Sequence, residues 1–172
     1  MSELVSPEDL TRVLRRMASS IDEAIAGEDV ALVGIQRGGA PLARRLAELL
    51  GRTVDVGFVD IAFYRDDVSK GLPDPRVGPT SIDFELEGRH VILVDDVLQT
   101  GRTVRAAIEA LSDYGRPKRI WFAALVDRGG RELPIAADFI GRTIDVPAGA
   151  RVVVDPERGA LIEGAAQTES AG

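Results

Sequence analysis

The sequence predicts an α/β fold: a mostly parallel central sheet with helices on both faces. Three observations carry this. VALVGI (residues 30–35), VILV (91–94) and IWFAALV (120–126) are short apolar runs without alternation, as expected of strands buried on both sides. Between such runs lie stretches of about 10–15 residues with apolar positions at helical spacing. Strands alternating with helices imply crossover connections and parallel pairing.

The elements follow in order. Ser6-Pro7-Glu8-Asp9 offers an N-cap serine, a proline at the first helical position and acids in the first turn. It opens a helix over residues 7–26, with Leu10, Val13, Leu14, Met17, Ile21 and Ile25 as its apolar stripe and Arg12, Arg15 and Arg16 on its polar side. The strand at 30–35 is broken by Gly38-Gly39. A second helix spans 41–50 and stops at Gly51, read as C′. Residues 54–63 form the next strand. The segment YRDDVSKGLPDPRVGPT (64–80) is polar, rich in proline and glycine and aperiodic, the profile of a functional or flexible loop. A strand at 89–94, a helix at 103–114 with Val104, Ala107, Ile108 and Leu111 inward, and a strand at 120–126 come next. Short strands near the sheet edge are expected at 137–140 and 152–154. His90 reads as a surface residue and Trp121 as core or subunit interface. The tail GAAQTESAG (164–172) reads as disordered, which leaves residues 1–163 as a single domain.

Composition narrows the chemistry. The chain has 172 residues, no cysteine and one histidine, so disulfides and thiolate metal sites are excluded and a Ser-His triad is disfavoured. No apolar run approaches the ~20 residues of a membrane span. The start, MSELVSPEDL, lacks the features of a signal peptide. A cytoplasmic protein with no membrane partner is expected. A net charge of −7 argues against wholesale nonspecific binding to nucleic acid.

Ligands of parallel sheets bind beyond the carboxyl ends of the strands. Four stretches fall at such ends: 36–39, 64–70, 95–103 and 127–130. In VILVDDVLQTGRT (91–103) an apolar strand is expected to end on Asp95 and Asp96, and Thr100-Gly101-Arg102-Thr103 then opens a helix. Carboxylates accept hydrogen bonds only, which suits the vicinal hydroxyls of a ribose, directly or through Mg²⁺. Free backbone N–H groups, two threonine hydroxyls and the helix dipole suit a phosphate dianion. Together they describe a holder for ribose 5-phosphate. The competing phosphate motifs G-x-x-x-x-G-K-[ST] and G-x-G-x-x-G are absent. Spacing alone leaves Arg37 and the 64–70 loop equally readable as solvated turns.

The stretch resembles the phosphoribosyl-pyrophosphate (PRPP) signature of type I phosphoribosyltransferases. VDIAFYRDDVSK (59–70), GRPKRI (115–120) and LVDRGGRELPIAADFIG (125–141) narrow the resemblance to the PyrR family, over residues 5–155. These are bifunctional pyrimidine-operon attenuators and uracil phosphoribosyltransferases. The resemblance implies the type I phosphoribosyltransferase fold with a flexible hood at about 60–80, and conversion of uracil and PRPP to UMP and pyrophosphate with Mg²⁺. Asp95 and Asp96 would bind the ribose diol, and the metal through it. Arg37 would complete the catalytic set by facing the diphosphate beside Gly38. Val97, Leu98, Gln99, Thr100, Gly101, Arg102 and Thr103 would hold the nucleotide and its 5-phosphate. Asp127 and Arg128 would lie against the base, and Arg65 and Lys70 of the hood would reach the diphosphate.

The resemblance also implies UMP-responsive binding of pyrimidine-operon leader mRNA by a homodimer or higher homo-oligomer, with Arg15, Arg16, Arg131 and Arg142 on the RNA face. The chain departs from the family pattern at Gln99, where a tyrosine is common, and at Ser19, Gly130 and Ala136, where basic residues are common. Two alternatives stay open: an RNA-binding attenuator with little catalysis, and a phosphoribosyltransferase for another base. Gln99 cannot accept a proton as the aspartate of purine-salvage relatives does, which disfavours a purine.

Overall fold

The computed structural model describes residues 2–62, 64 and 79–164. Arg65 and Lys70, and the tail from 165, lie outside these. From the N-terminus the chain forms β1 (Ser2–Val5), α1 (Pro7–Ala24), β2 (Val30–Ile35), α2 (Gly39–Leu49), β3 (Asp55–Val59), β4 (His90–Leu98) and α3 (Arg102–Leu111). A single 3-10 turn, Ser112–Tyr114, leads to β5 (Arg119–Asp127), β6 (Phe139–Thr143), β7 (Arg151–Asp155) and β8 (Gly159–Glu163).

Ser6 caps α1 as its sequence demands: its side chain accepts the N–H of Asp9 at 3.1 Å, with Pro7 behind it. Five parallel strands in the order β3-β2-β4-β5-β6 make the central sheet. Alternation along the strands sends side chains to two separate cores. Val30 and Leu32, Ile92 and Val94, and Ala123 and Leu125 pack with α1 and α2 on one face. Val33 and Ile35, Val91 and Leu93, and Phe122 and Ala124 pack with α3 on the other. Burial on both faces explains the uninterrupted apolar runs.

The structure corrects several expectations. β4 does not end at the aspartates. Its parallel ladder with β5 continues through Asp95↔Ala124 and Val97↔Val126 to Leu98↔Asp127. The strand predicted at 152–154 is not near the edge of the central sheet. It belongs to a second, antiparallel sheet of order β1-β8-β7, which closes the chain's first strand on its last. β1 and β8 escaped notice because each is four or five residues long, and β1 pairs only with β8 at the far end of the chain. Helix α2 begins at Gly39, and Gly51 is no left-handed cap: Leu50 turns extended and the Gly51 N–H donates to Asp22 at 3.1 Å. Ile108 is 43% exposed, so the buried face of α3 is narrower than its apolar pattern. His90 is buried rather than on the surface. Its Nδ1 accepts the Trp121 indole N–H at 3.0 Å, and Trp121 stacks between His90 and Phe139.

Two glycines let α2 dock on β4. A Cβ on Gly39 would fall 2.0 Å from the Val94 carbonyl oxygen, and one on Gly38 2.1 Å from Asp96 Oδ2. The main chain of residues 38–39 therefore lies directly on the strand that carries both carboxylates. Gly39→Ala is expected to lower stability by about 1–3 kcal/mol, because backbone must move to admit the methyl group. Gly51→Ala, with its nearest neighbour 3.8 Å away, should stay within about 0.5 kcal/mol of wild type. Denaturant midpoints at constant slope test the pair.

Candidate active site

Because β4 runs on past the core, the period of two places Asp95 and Asp96 on opposite faces of the sheet. Asp95 is 6% exposed and faces the α3 side. One of its oxygens accepts the N–H of Asp96 at 2.9 Å, and it lines a cavity of about 190 Å³ with Leu98, Thr100, Thr103 and Phe122. Asp96 faces the α2 side, beside Gly38. Its Oδ1 accepts the Val97 N–H at 2.8 Å, while Oδ2 has no hydrogen-bond partner among the described residues. It borders a larger cavity of about 580 Å³ with Gln36, Arg37 and Gly38.

Past Leu98 the chain makes a tight loop into α3. Gly101 adopts φ 91°, the left-handed region, and any side chain there would also press on Leu133 and Ile135. No described residue accepts from the main-chain N–H groups of Gln99, Thr100 and Gly101. The Arg102 N–H is turned to the Thr100 hydroxyl at 3.2 Å. Three open amides, the hydroxyls of Thr100 and Thr103 and the N-terminus of a ten-residue helix form an anion cradle. Arg102 itself points away, its Nε on Glu132 at 3.0 Å.

The opposite wall is residues 36–38, where a cis peptide joins Gln36 to Arg37. Arg37 is exposed, and its guanidinium makes no hydrogen bond or ion pair with a described residue.

The third wall is the loop after β5, and Arg131 organises it. Its guanidinium donates to the Gln99 carbonyl at 3.0 Å, to the Ile135 carbonyl at 2.8 Å and to Asp127 Oδ2 at 2.6 Å. The Thr100 carbonyl accepts the N–H groups of Glu132 and Leu133, and the Leu98 carbonyl accepts that of Arg128. The cradle and the loop are thus one body. The Arg131 hydrogen bond is the main reason that Asp127 is held below the usual carboxylate range, with the Gly129 N–H assisting. Arg128 donates to the Ala150 carbonyl at 2.9 Å, which ties this loop to the start of β7. Gln99 is exposed, its Cγ 3.4 Å from where a Cβ on Gly130 would lie. Tyr64, at the start of the 64–80 segment, donates to Asp113, and this bond pushes its phenol above its ordinary value.

The four arginines expected on one basic face are divided. Arg16 and Arg142 line one groove of about 360 Å³ with Arg12, and Arg16 donates to the Gly141 carbonyl. Arg15 is exposed on the same helix. Arg131 stands apart, committed to the loop. Sequence reasoning missed two residues. Glu132, which takes the Arg102 named in the sequence, had no local signal. Arg151, on the wall of the larger cavity, is brought there only by the second sheet.

The model of the phosphoribosyl transferase domain matches residues 2–156. Proteins named bifunctional protein PyrR resemble the chain closely. That of Roseiflexus sp. (strain RS-1) is 50% identical over 155 residues, covering 87% of this chain and 85% of its own. That of Herpetosiphon aurantiacus is 52% identical over 157 residues, covering 88% of each. In fold, a hypoxanthine-guanine phosphoribosyltransferase from Bacillus anthracis superposes with a TM-score of 0.68 at 22% identity, over 84% of this chain and 82% of that one.

Arg131→Met should cost about 1.5–3 kcal/mol at neutral pH, since it strands an inward-facing carboxylate and two carbonyls. A carboxyl whose folded pKa is depressed stabilises fully above its ordinary value and loses that contribution as pH falls through the depressed one. Wild type should therefore lose this increment below the ordinary carboxylate range, and Asp127→Asn should not. Unfolding curves across an acid series check the difference.

Proposed function

The chain belongs to the phosphoribosyl transferase domain family and, within it, to the PyrR proteins, and from that premise we propose that it converts uracil and PRPP to UMP and pyrophosphate and regulates pyrimidine-operon transcription through leader mRNA. One observation carries the enzymatic half: Asp96, one of whose oxygens has no partner among the described residues, lies near three amides (99–101) and a glycine loop with Arg37 that no described residue engages. The 5-phosphate fits the amides and the two threonine hydroxyls. The ribose diol fits Asp96, with Asp95 buried behind it and fixing the turn of the strand. Arg37 fits the diphosphate.

In the reaction N1 of uracil bonds to C1′ and gives up its proton to water, while the C1′–oxygen bond breaks and pyrophosphate leaves with the electron pair. Arg37 stabilises the charge that grows on the leaving oxygens, which is worth most in a site shielded from water. Mg²⁺ would fit on the open side of Asp96, because one carboxylate completed by substrate oxygens is a usual environment for it, and it would neutralise diphosphate charge there. Asp127 and Arg128 border the base through the loop that Arg131 holds. No side-chain nucleophile is needed, in keeping with a chain that has no cysteine.

For regulation, the groove of Arg12, Arg16 and Arg142 beside Arg15 supplies phosphate contacts in an otherwise acidic protein. A homodimer or higher homo-oligomer in the cytoplasm completes the reading; no helix among the described residues is long and apolar enough to cross a membrane.

Pyrophosphate release from PRPP should occur with uracil and not with hypoxanthine; the reverse preference would defeat the pyrimidine assignment. Asp96→Asn should lower kcat/KM roughly 10- to 100-fold at unchanged thermal midpoint, the range for a lost charge-assisted bond. Leader RNA should bind more tightly with UMP, and Arg142→Gln should reduce the salt slope of binding by about one contact. A gel-shift series over salt measures both.

A further inference from the structure

We propose that Arg151 is a second diphosphate-binding cation, set across the larger cavity from Arg37. The inference rests on the PRPP reading above and deepens it. Arg151 opens β7, and β7 is the edge strand of the small sheet, lying against β4. The cavity of about 580 Å³ is lined by Arg37 and Gly38 from the loop before α2, by Asp96 of β4, and by Arg151 to Val154 of β7. It holds two arginines and one carboxylate, an excess of positive charge in a protein whose net charge is −7.

Among the described residues neither arginine has a hydrogen-bond or ion-pair partner. Glu163 stands directly opposite Arg151 on β8, the position from which a cross-strand ion pair would form. No ion pair or hydrogen bond joins the Arg151 side chain to any described residue. A planar guanidinium suits bidentate binding of phosphate oxygens. Its placement is not left to an isolated strand end, for Arg128 holds the preceding carbonyl, that of Ala150, at 2.9 Å. The loop that borders the base thereby sets the residue that meets the leaving group. Val152 and Val154 alternate with Arg151 and pack against the α1–α2 core, which anchors the strand.

The test exploits ligand chemistry. UMP carries the 5-phosphate and the diol but no diphosphate, whereas inorganic pyrophosphate carries only the latter. Calorimetric titrations with PRPP, pyrophosphate and UMP, all with Mg²⁺, would compare wild type, Arg151→Ala, Arg151→Lys and Arg37→Ala. Arg151→Ala should weaken PRPP and pyrophosphate roughly 10- to 100-fold, as expected for loss of a charge-assisted contact, and leave UMP within about twofold. Arg151→Lys should recover part of the loss. If Arg37→Ala loses pyrophosphate while Arg151→Ala binds it like wild type, the inference is wrong and the PRPP reading stands. Equal loss of UMP and pyrophosphate in Arg151→Ala would reduce the residue to a structural role and also overturn it. Wild type binding neither PRPP nor UMP would remove the reading beneath it.

Discussion

The parallel ladder between β4 and β5, carried beyond the core to Leu98 and Asp127, is the constraint on which the site depends. A strand that stopped at Val94 would leave the two aspartates in a loop, free to turn either way. Extended by four residues, it assigns Asp95 to one face and Asp96 to the other, and delivers the loop at 99–101 at a defined height above the sheet. Arg131 then fastens the far end, joining Gln99, Asp127 and Ile135 through one side chain. Local amides can stay unpaired for a ligand because the carbonyls around them are already used to hold the loop.

The same geometry divides labour between two cavities. The smaller one, on the α3 side, is lined by Asp95 and the N-terminus of α3, and in the proposed reading it takes the single phosphate. The larger one, on the α2 side, is built where glycine permits main chain to rest on main chain, and it is faced by arginines. Gly38 and Gly39 belong to this arrangement as much as the charged residues do. With a methyl group at either, the loop could not approach Asp96 closely enough to share a ligand with it.

Much of this was legible in the sequence. Unbroken apolar runs marked the buried strands, the Ser6-Pro7 signal marked α1, and T-G-R-T marked the turn from β4 into α3, because each rests on neighbours in the chain. What local pattern could not show was set by distant parts. The second sheet pairs residues 2–5 with 160–162, so β1 had no neighbour in the chain to signal it, and Arg151 is brought to the site by the same sheet. His90 looked like a turn residue because the indole that satisfies it lies 31 positions away. The continuation of β4 was hidden for a related reason: it rests on pairing with β5 as far as Leu98 and Asp127, which the stretch 91–98 does not show by itself. Arg131 sat four residues from its partner Asp127, a spacing that could have been read, but its other two acceptors were supplied by the fold.

The most direct measurement is a crystal structure with bound UMP. The phosphate should lie on the main-chain amides of Gln99 to Gly101 and the ribose hydroxyls on the Asp96 side of β4, with the larger cavity left open beside Arg37. A nucleotide seated at another edge of the sheet, or one whose phosphate meets the arginines instead of those amides, would contradict the assignment.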